Sequence, residues 1–333
     1  MPNHRGSFVI SLDFELMWGV RDVATKSSYG RNILGVHQVI PRLLDCFTKY
    51  QIHATFATVG FLFFETKEEM LQHLPQRKPQ YKNAVLTPYG DYLNHEVGEN
   101  YKDDLYHFAP RLIELIKNTP HQEISTHTFS HYYCLEEGQS IEDFEQDLKQ
   151  AISAARLRGC EIKSIIFPRN QFNPEYLKVC IQYGVHIYRN NERSWIYKSR
   201  NRDKESKLRR AIRLINAYLN LSGHHCYSDE EMYQGGELVD IPSSRFLRPF
   251  SRKLAFLDGL RLRRIKRAMT YAAKNNKMFH LWWHPHNFGI NQDENFSFLT
   301  KILEHYRELN HKYQFQSINM LELSELLQQK NGK

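Results

Sequence analysis

The feature that most constrains this chain is a repeated unit in which a helix-periodic segment stops at a glycine and hands over to a short apolar run. Ser140 can cap a helix that has Asp143 at its third position. Phe144, Leu148, Ala151, Ile152 and Ala155 then recur at helical spacing, and Gly159 ends the segment before Ser164-Ile-Ile-Phe167. Asn173 and Pro174 open the next unit as N-cap and first helical residue, Leu177 and Ile181 share a side, and Gly184 precedes Val185-His-Ile-Tyr188. Further strand-like runs lie at 8–12, 54–59, 123–126, 238–241, 278–282 and 313–318, with helical patterns at 36–50, 108–117, 207–221 and 296–309. Seven or eight strands alternating with helices predict an α/β fold, a parallel (β/α) barrel. A doubly wound open sheet obeys the same grammar.

A chain of 333 residues with 41% hydrophobic content can bury the core of one such barrel. No repeat, low-complexity tract or linker divides it, so residues 1–333 read as a single domain. An irregular stretch at about 61–104 interrupts the rhythm and is expected to border the functional site or an oligomer contact. No secretory signal and no apolar run of membrane-spanning length are visible. The five cysteines are odd in number, widely spaced and without a CxxC pair, which suits reduced thiols, and the expectation is a cytoplasmic protein. Between residues 193 and 267 there are 18 Lys or Arg against 8 Asp or Glu, a local +10 within a total of +8. Such a segment can face phosphate on a nucleotide sugar, a lipid or a membrane surface, or it can simply be a solvated face. No module that reads bases is present, which argues against nucleic acid.

Four polar segments fall just after strand-like runs, where α/β folds place their sites. In Ser11-Leu-Asp13-Phe-Glu15 two carboxylates one residue apart would share a face of an extended strand. In Glu123-Ile-Ser-Thr-His127-Thr-Phe-Ser-His131 two imidazoles lie four residues apart, a spacing that on a helical turn lets both aim at one metal ion. Ile165-Ile-Phe-Pro168-Arg169-Asn170 ends in an arginine able to grip a carboxylate with two hydrogen bonds. Phe279-His280-Leu-Trp282-Trp283-His284-Pro-His286 closes the set.

Together these segments resemble, in kind and in order, the polysaccharide deacetylase or NodB-homology family of carbohydrate esterases, over roughly residues 8 to 290. The D-x-E form of the first motif is similar to that of the family's cytoplasmic members. The resemblance implies the deformed parallel (β/α) barrel of the NodB-homology fold, hydrolysing the N-acetyl or N-formyl amide of an amino sugar. It implies a divalent metal, Zn2+ first with Co2+, Ni2+ or Fe2+ as alternatives, held by Glu15, His127 and His131. It makes Asp13 the base, Arg169 its orienting partner and His284 the acid, with His280 and His286 as rivals of His284. Trp283, Asn170 and His286 are expected to touch the substrate, a glycan, nucleotide sugar or lipid-linked sugar. By the same resemblance the reaction would be a cytoplasmic step in building a capsule or O-antigen.

Other readings remain at this point. Two histidines and a carboxylate also describe the facial triad of non-haem iron oxygenases, which usually sits on another fold. A barrel that binds glycan without hydrolysing it, or a deacylase of another non-peptide C–N bond, shares the same motifs. The helix expected at 207–221 gathers Leu208, Ala211, Ile212, Ile215 and Leu219 on one side, so it can either pack on the barrel or rest on an anionic membrane surface. Arg261, Arg263, Arg264 and Arg267 form a second basic cluster.

Overall fold

The protein is described from a computed structural model, which covers residues 5–198, 206–330 and 332. Among the described residues nine strands run in chain order as β1 (Ser7–Phe14), β2 (Ala54–Thr58), β3 (Gln122–Thr126), β4 (Ser164–Ile166), β5 (Ile187–Arg189), β6 (Val239–Asp240), β7 (Arg245–Phe246), β8 (Met278–Trp283) and β9 (Gln316–Ser317). Ten α-helices connect them: α1 (Lys26–Tyr50), α2 (Lys67–Gln72), α3 (Pro110–Asn118), α4 (Ile141–Leu157), α5 (Pro174–Gln182), α6 (Lys207–Asn216), α7 (Asp229–Met232), α8 (Asp258–Lys274), α9 (Gln292–Tyr313) and α10 (Met320–Lys330).

The sheet order is β6-β5-β4-β3-β2-β1-β8-β7, every ladder is parallel, and β9 pairs with the first two residues of β1. Among the described residues no ladder joins β6 to β7, so the eight strands form a curled half-barrel, the deformed (β/α) barrel the sequence predicts. All eight residues of β1 are buried, as a central parallel strand covered on both faces requires. Its register sets Asp13 beside Ala57 of β2 and Leu12 beside Trp283 of β8, which brings the first and last motifs to the same end of the sheet.

The helix grammar is realised at α4, where Ser140 and Asp143 cap each other, and at α5, where the Asn173 side chain accepts from the Glu175 N–H. Several boundaries differ from the sequence expectation. α1 begins ten residues before position 36, because Thr25 and Ser28 form a capping box that the apolar periodicity does not register. The strand expected at 313–318 shrinks to two residues, since α9 continues to Tyr313 and ends on Gln314 at φ +54. The stretch at 61–104 is ordered rather than structureless. Besides α2 it holds a π-turn at Tyr92–Glu96, and its Tyr81 hydroxyl accepts from the Tyr133 N–H at 2.8 Å, so it buttresses the loop that carries His131.

Candidate active site

Glu15 is the centre of the site. It follows the last residue of β1, its carboxylate is buried, and Gly19 leaves the room it needs: a Cβ at Gly19 would lie 1.9 Å from the Glu15 carboxyl carbon. His127 Nε2 and His131 Nε2 approach the same oxygen, Glu15 Oε2, at 3.3 and 3.0 Å. These three ligand atoms lie within 4.8 Å of one another. The two histidines do not stand on a helical turn, however. The loop after β3 is irregular, with Thr128 at φ +64 and His131 at φ +60, and this turn, not helical periodicity, folds the imidazoles together. Asp147 of α4 secures it by accepting from the backbone N–H groups of Phe129 and Ser130 at 2.7 and 3.1 Å and from the Ser130 hydroxyl.

The donor set fits a divalent transition metal. His127 Nδ1 donates to the Ile166 carbonyl at 2.7 Å, which leaves Nε2 free of a proton and aimed at the centre, the outer-shell arrangement metal-binding histidines use. His131 Nδ1 lies 3.1 Å from the Tyr133 hydroxyl. Burial lowers the His131 pKa to about 4, in spite of Glu15, so the ring is neutral as a ligand must be. Burial opposes the charge on Glu15, yet the surrounding imidazoles outweigh it and hold the carboxyl well below its ordinary value.

Asp13 sits on the same face of β1, one pleat repeat before Glu15. Its partner is Arg189, whose Nη1 and Nη2 donate to Oδ1 and Oδ2 at 2.7 and 2.8 Å. This corrects the expectation for Arg169, which instead pairs with Asp22 and lies over the Tyr133 ring, 4.3 Å from its centroid. Arg189 also donates to Ser11 Oγ at 2.9 Å and to Asn170 Oδ1 at 2.7 Å, and rests 4.3 Å from the Trp282 ring centroid. Asn170 therefore steadies Arg189 while lining the cleft beside the site. Burial works against an ionised Asp13, but Arg189 and the nearby imidazoles prevail and its pKa is lowered.

The three histidines of the last motif take distinct places. His280 is fully buried, with Nε2 2.8 Å from Ser11 Oγ, and burial takes its pKa down to about 3. His284 stands at the cleft edge, where its Nε2 lies 3.7 Å from Asp13 Oδ2 and 3.8 Å from Glu15 Oε1. Burial also lowers its pKa, partly offset by the two carboxylates. His286 is buried behind Glu15, with Nε2 3.0 Å from Oε1 and Nδ1 2.9 Å from the Tyr29 hydroxyl. Glu15, His284 and His286 thus form a second group of donors around the same carboxylate.

Trp283 does not reach the substrate side. It is wholly buried and stacks on Phe288, 5.7 Å between centroids, while Trp282 lines the cleft. Strand alternation carries the signal: residues 280, 282 and 284 share a face, so once His284 is placed in the site Trp282 must accompany it. Arg189 was missed because the expected strand stopped at Tyr188. Its place at the C-terminal end of β5, where site residues gather, is the signal that could have found it.

The parallel half-barrel thus gathers a buried carboxylate, two converging imidazoles and an arginine-paired aspartate at its strand ends, a candidate metal-binding group. The family model for polysaccharide deacetylase matches residues 29–188 of the chain. That match includes His127 and His131, while Asp13 and Glu15 precede it and His284 follows it. A search of the curated proteins found no match. Among solved structures the chain is similar to a putative polysaccharide deacetylase from Mycobacterium smegmatis, at 13% identity and TM-score 0.62, covering 99% of this chain and 93% of that one. It is also similar to a probable polysaccharide deacetylase from Pseudomonas aeruginosa PAO1, at 11% identity and TM-score 0.54, over 97% and 89% of the two chains. Puue allantoinase aligns at 12% identity and TM-score 0.56, over 98% and 91%. At these identities the likeness is one of fold.

Proposed function

We propose that the protein removes an N-acyl group, acetyl or formyl, from an amino sugar, using a divalent metal at Glu15, His127 and His131. The supporting observation is that Asp13 and Glu15 both face His284 Nε2 at the mouth of one cleft, at 3.7 and 3.8 Å, which brings a base, a metal carboxylate and an acid to one point. The donor set of imidazole and carboxylate suits Zn2+, with Co2+, Ni2+ or Fe2+ as alternatives. When bound there, such an ion lowers the pKa of a coordinated water and polarises the amide carbonyl.

Asp13 accepts the proton of the attacking water, and Arg189 keeps it ionised and oriented for that task. His284 delivers a proton to the amide nitrogen as the C–N bond breaks, so the amine leaves neutral rather than as an anion. His284 Nδ1 lies 3.4 Å from Asn287 Oδ1, which favours the ring orientation that turns Nε2 toward the reacting atoms. His286, held by Tyr29, fixes the second oxygen of Glu15. The products are a free amino sugar and acetate or formate.

The substrate on this reading is a glycan or an activated amino sugar, nucleotide- or lipid-linked, in a cytoplasmic step of surface-polysaccharide assembly such as capsule or O-antigen. Acetate release from N-acetylglucosamine oligomers and from N-acetylated sugar phosphates by zinc-reconstituted protein tests it. Asp13→Asn should bind metal as the wild type does and lose about 100-fold or more in rate. An Asp13→Asn variant that hydrolyses amide at the wild-type rate would sink the assignment.

A further inference from the structure

The mechanism leaves most of the cleft beside His284 unused. It measures about 700 Å3, reaches His284 and Trp282 at one end, and carries Arg169, Lys198, Arg210, Arg213, Arg245 and Arg248 on its walls against the carboxylate of Glu192. Arg169 is taken by Asp22, and Arg213 donates to the Ile196 carbonyl at 3.1 Å. Arg245 is different. It is only 3% exposed, its Nη1 reaches the Asn216 carbonyl at 3.3 Å, and its Nε and Nη2 have no hydrogen-bond partner, the buried Glu192 carboxylate lying close enough to feel its charge. Trp282 Nε1, on the same cleft, is also an unmet donor. Buried donors without acceptors are costly, and a guanidinium with two of them open matches the paired oxygens of a phosphoryl group.

One wall of this cleft is α6, and that helix is built inside out. Its Arg209 is buried and donates to the carbonyls of Trp195 and Lys198 at 2.8 and 2.9 Å, while Arg210 and Arg213 line the cleft. Its apolar residues are only partly covered: Leu208 is 71% exposed, Ile215 48% and, just beyond the helix, Leu219 51%, while Ile212 and Leu214 are half-buried. Trp195 is 67% exposed. A helix packed on a barrel would bury its apolar residues; one that turns arginines inward and leucines outward suits a hydrocarbon boundary. The second basic cluster does not join in, since Arg261 and Arg264 are buried on backbone carbonyls and Arg263 and Arg267 lie outside the cleft.

We infer that the cleft and the outer face of α6 form one site for an amphiphilic phosphate. The phosphoryl group of a lipid-linked amino sugar lies against Arg245, Arg248, Arg213 and Arg210, and α6 rests on the membrane surface that holds the lipid. The sugar's placement at His284 depends on the deacylase reading, whereas the anion and lipid contacts do not.

Titration calorimetry on the metal-loaded protein tests this with dodecyl phosphate below its micelle concentration, inorganic phosphate and UDP-N-acetylglucosamine. Dodecyl phosphate should bind at least tenfold more tightly than inorganic phosphate. Arg245→Gln and Arg248→Gln should each weaken both by about tenfold, Ile215→Ser with Leu219→Ser should erase only the advantage of the alkyl chain, and the exposed Arg267→Gln should change nothing. Arg248 is half-buried and partly solvated, so its variant reports even if Arg245→Gln fails to fold. Equal affinity for the two phosphates, or affinity unchanged in both cleft variants, overturns the inference; the latter would put the anion on the metal instead. UDP-N-acetylglucosamine binding more tightly than dodecyl phosphate would overturn the lipid assignment in favour of a soluble donor. Because binding is read without hydrolysis, a failure here is separate from a failure of the deacylase reading.

Discussion

At the scale of single residues, the proposed chemistry turns on the pairing of Asp13 with Arg189. Arg189→Met would leave Asp13 ionised and buried without its guanidinium, at a cost of about 3–5 kcal/mol, visible as a lowered melting temperature together with a large loss of activity. Arg169→Met, by contrast, should leave Asp13 paired and reduce the rate much less; equal losses in the two variants, measured side by side, would contradict the assignment. The structure brings most of the residues expected from sequence to one place, but pairs Asp13 with Arg189 rather than Arg169. Asp13, Glu15, His127, His131 and His284 come together because each is tied to a strand end that local pattern reveals. The arginine was misplaced because a proline-flanked Arg169 stands out in sequence, while Arg189 is an unremarked residue of a three-residue strand. Trp283, expected at the substrate, lies in the core, because alternation along β8 sets it on the face opposite His284 while Trp282 lines the cleft.

At the scale of elements, two local devices hold the ligands. Gly19 gives Glu15 its space, so Gly19→Ala should displace the carboxylate and weaken metal affinity by an order of magnitude or more while barely changing the melting temperature, since only a side chain must move. Unchanged affinity in a metal-competition titration would count against Glu15 as a ligand. Asp147 fastens the loop between His127 and His131, and burial raises its pKa from 3.8 to about 6 in spite of the donors it accepts from. A carboxyl whose pKa is raised on folding adds stability below about pH 4 and loses it as pH rises through 6, at most about 3 kcal/mol in all for a shift of about two units. Asp147→Asn should therefore remove this decline between pH 4 and 7, as measured by denaturant unfolding of the two proteins across that range. The loop's shape was not legible beforehand: HxxxH spacing implies a helix, and nothing local announces positive φ at Thr128 and His131.

At the scale of the molecule, the parallel half-barrel was legible because alternating apolar runs and capped helices leave few other arrangements. What escaped were elements whose pattern is masked by charge, chiefly α8, where arginines interleave with Ile265, Ala268, Met269 and Ala272. The same charge hides a division of labour, for Arg261 and Arg264 bind backbone carbonyls while Arg245 faces the cleft unmet. Among the described residues no helix is long and apolar enough to cross a membrane. The central claim is that β1 and the loop after β3 build a metal site. Elemental analysis of the purified protein beside its His131→Ala variant tests this most directly. The expected result is about one divalent transition metal per chain in the wild type and almost none in the variant. A wild type that stays metal-free after reconstitution, or a variant that retains its metal, would contradict it.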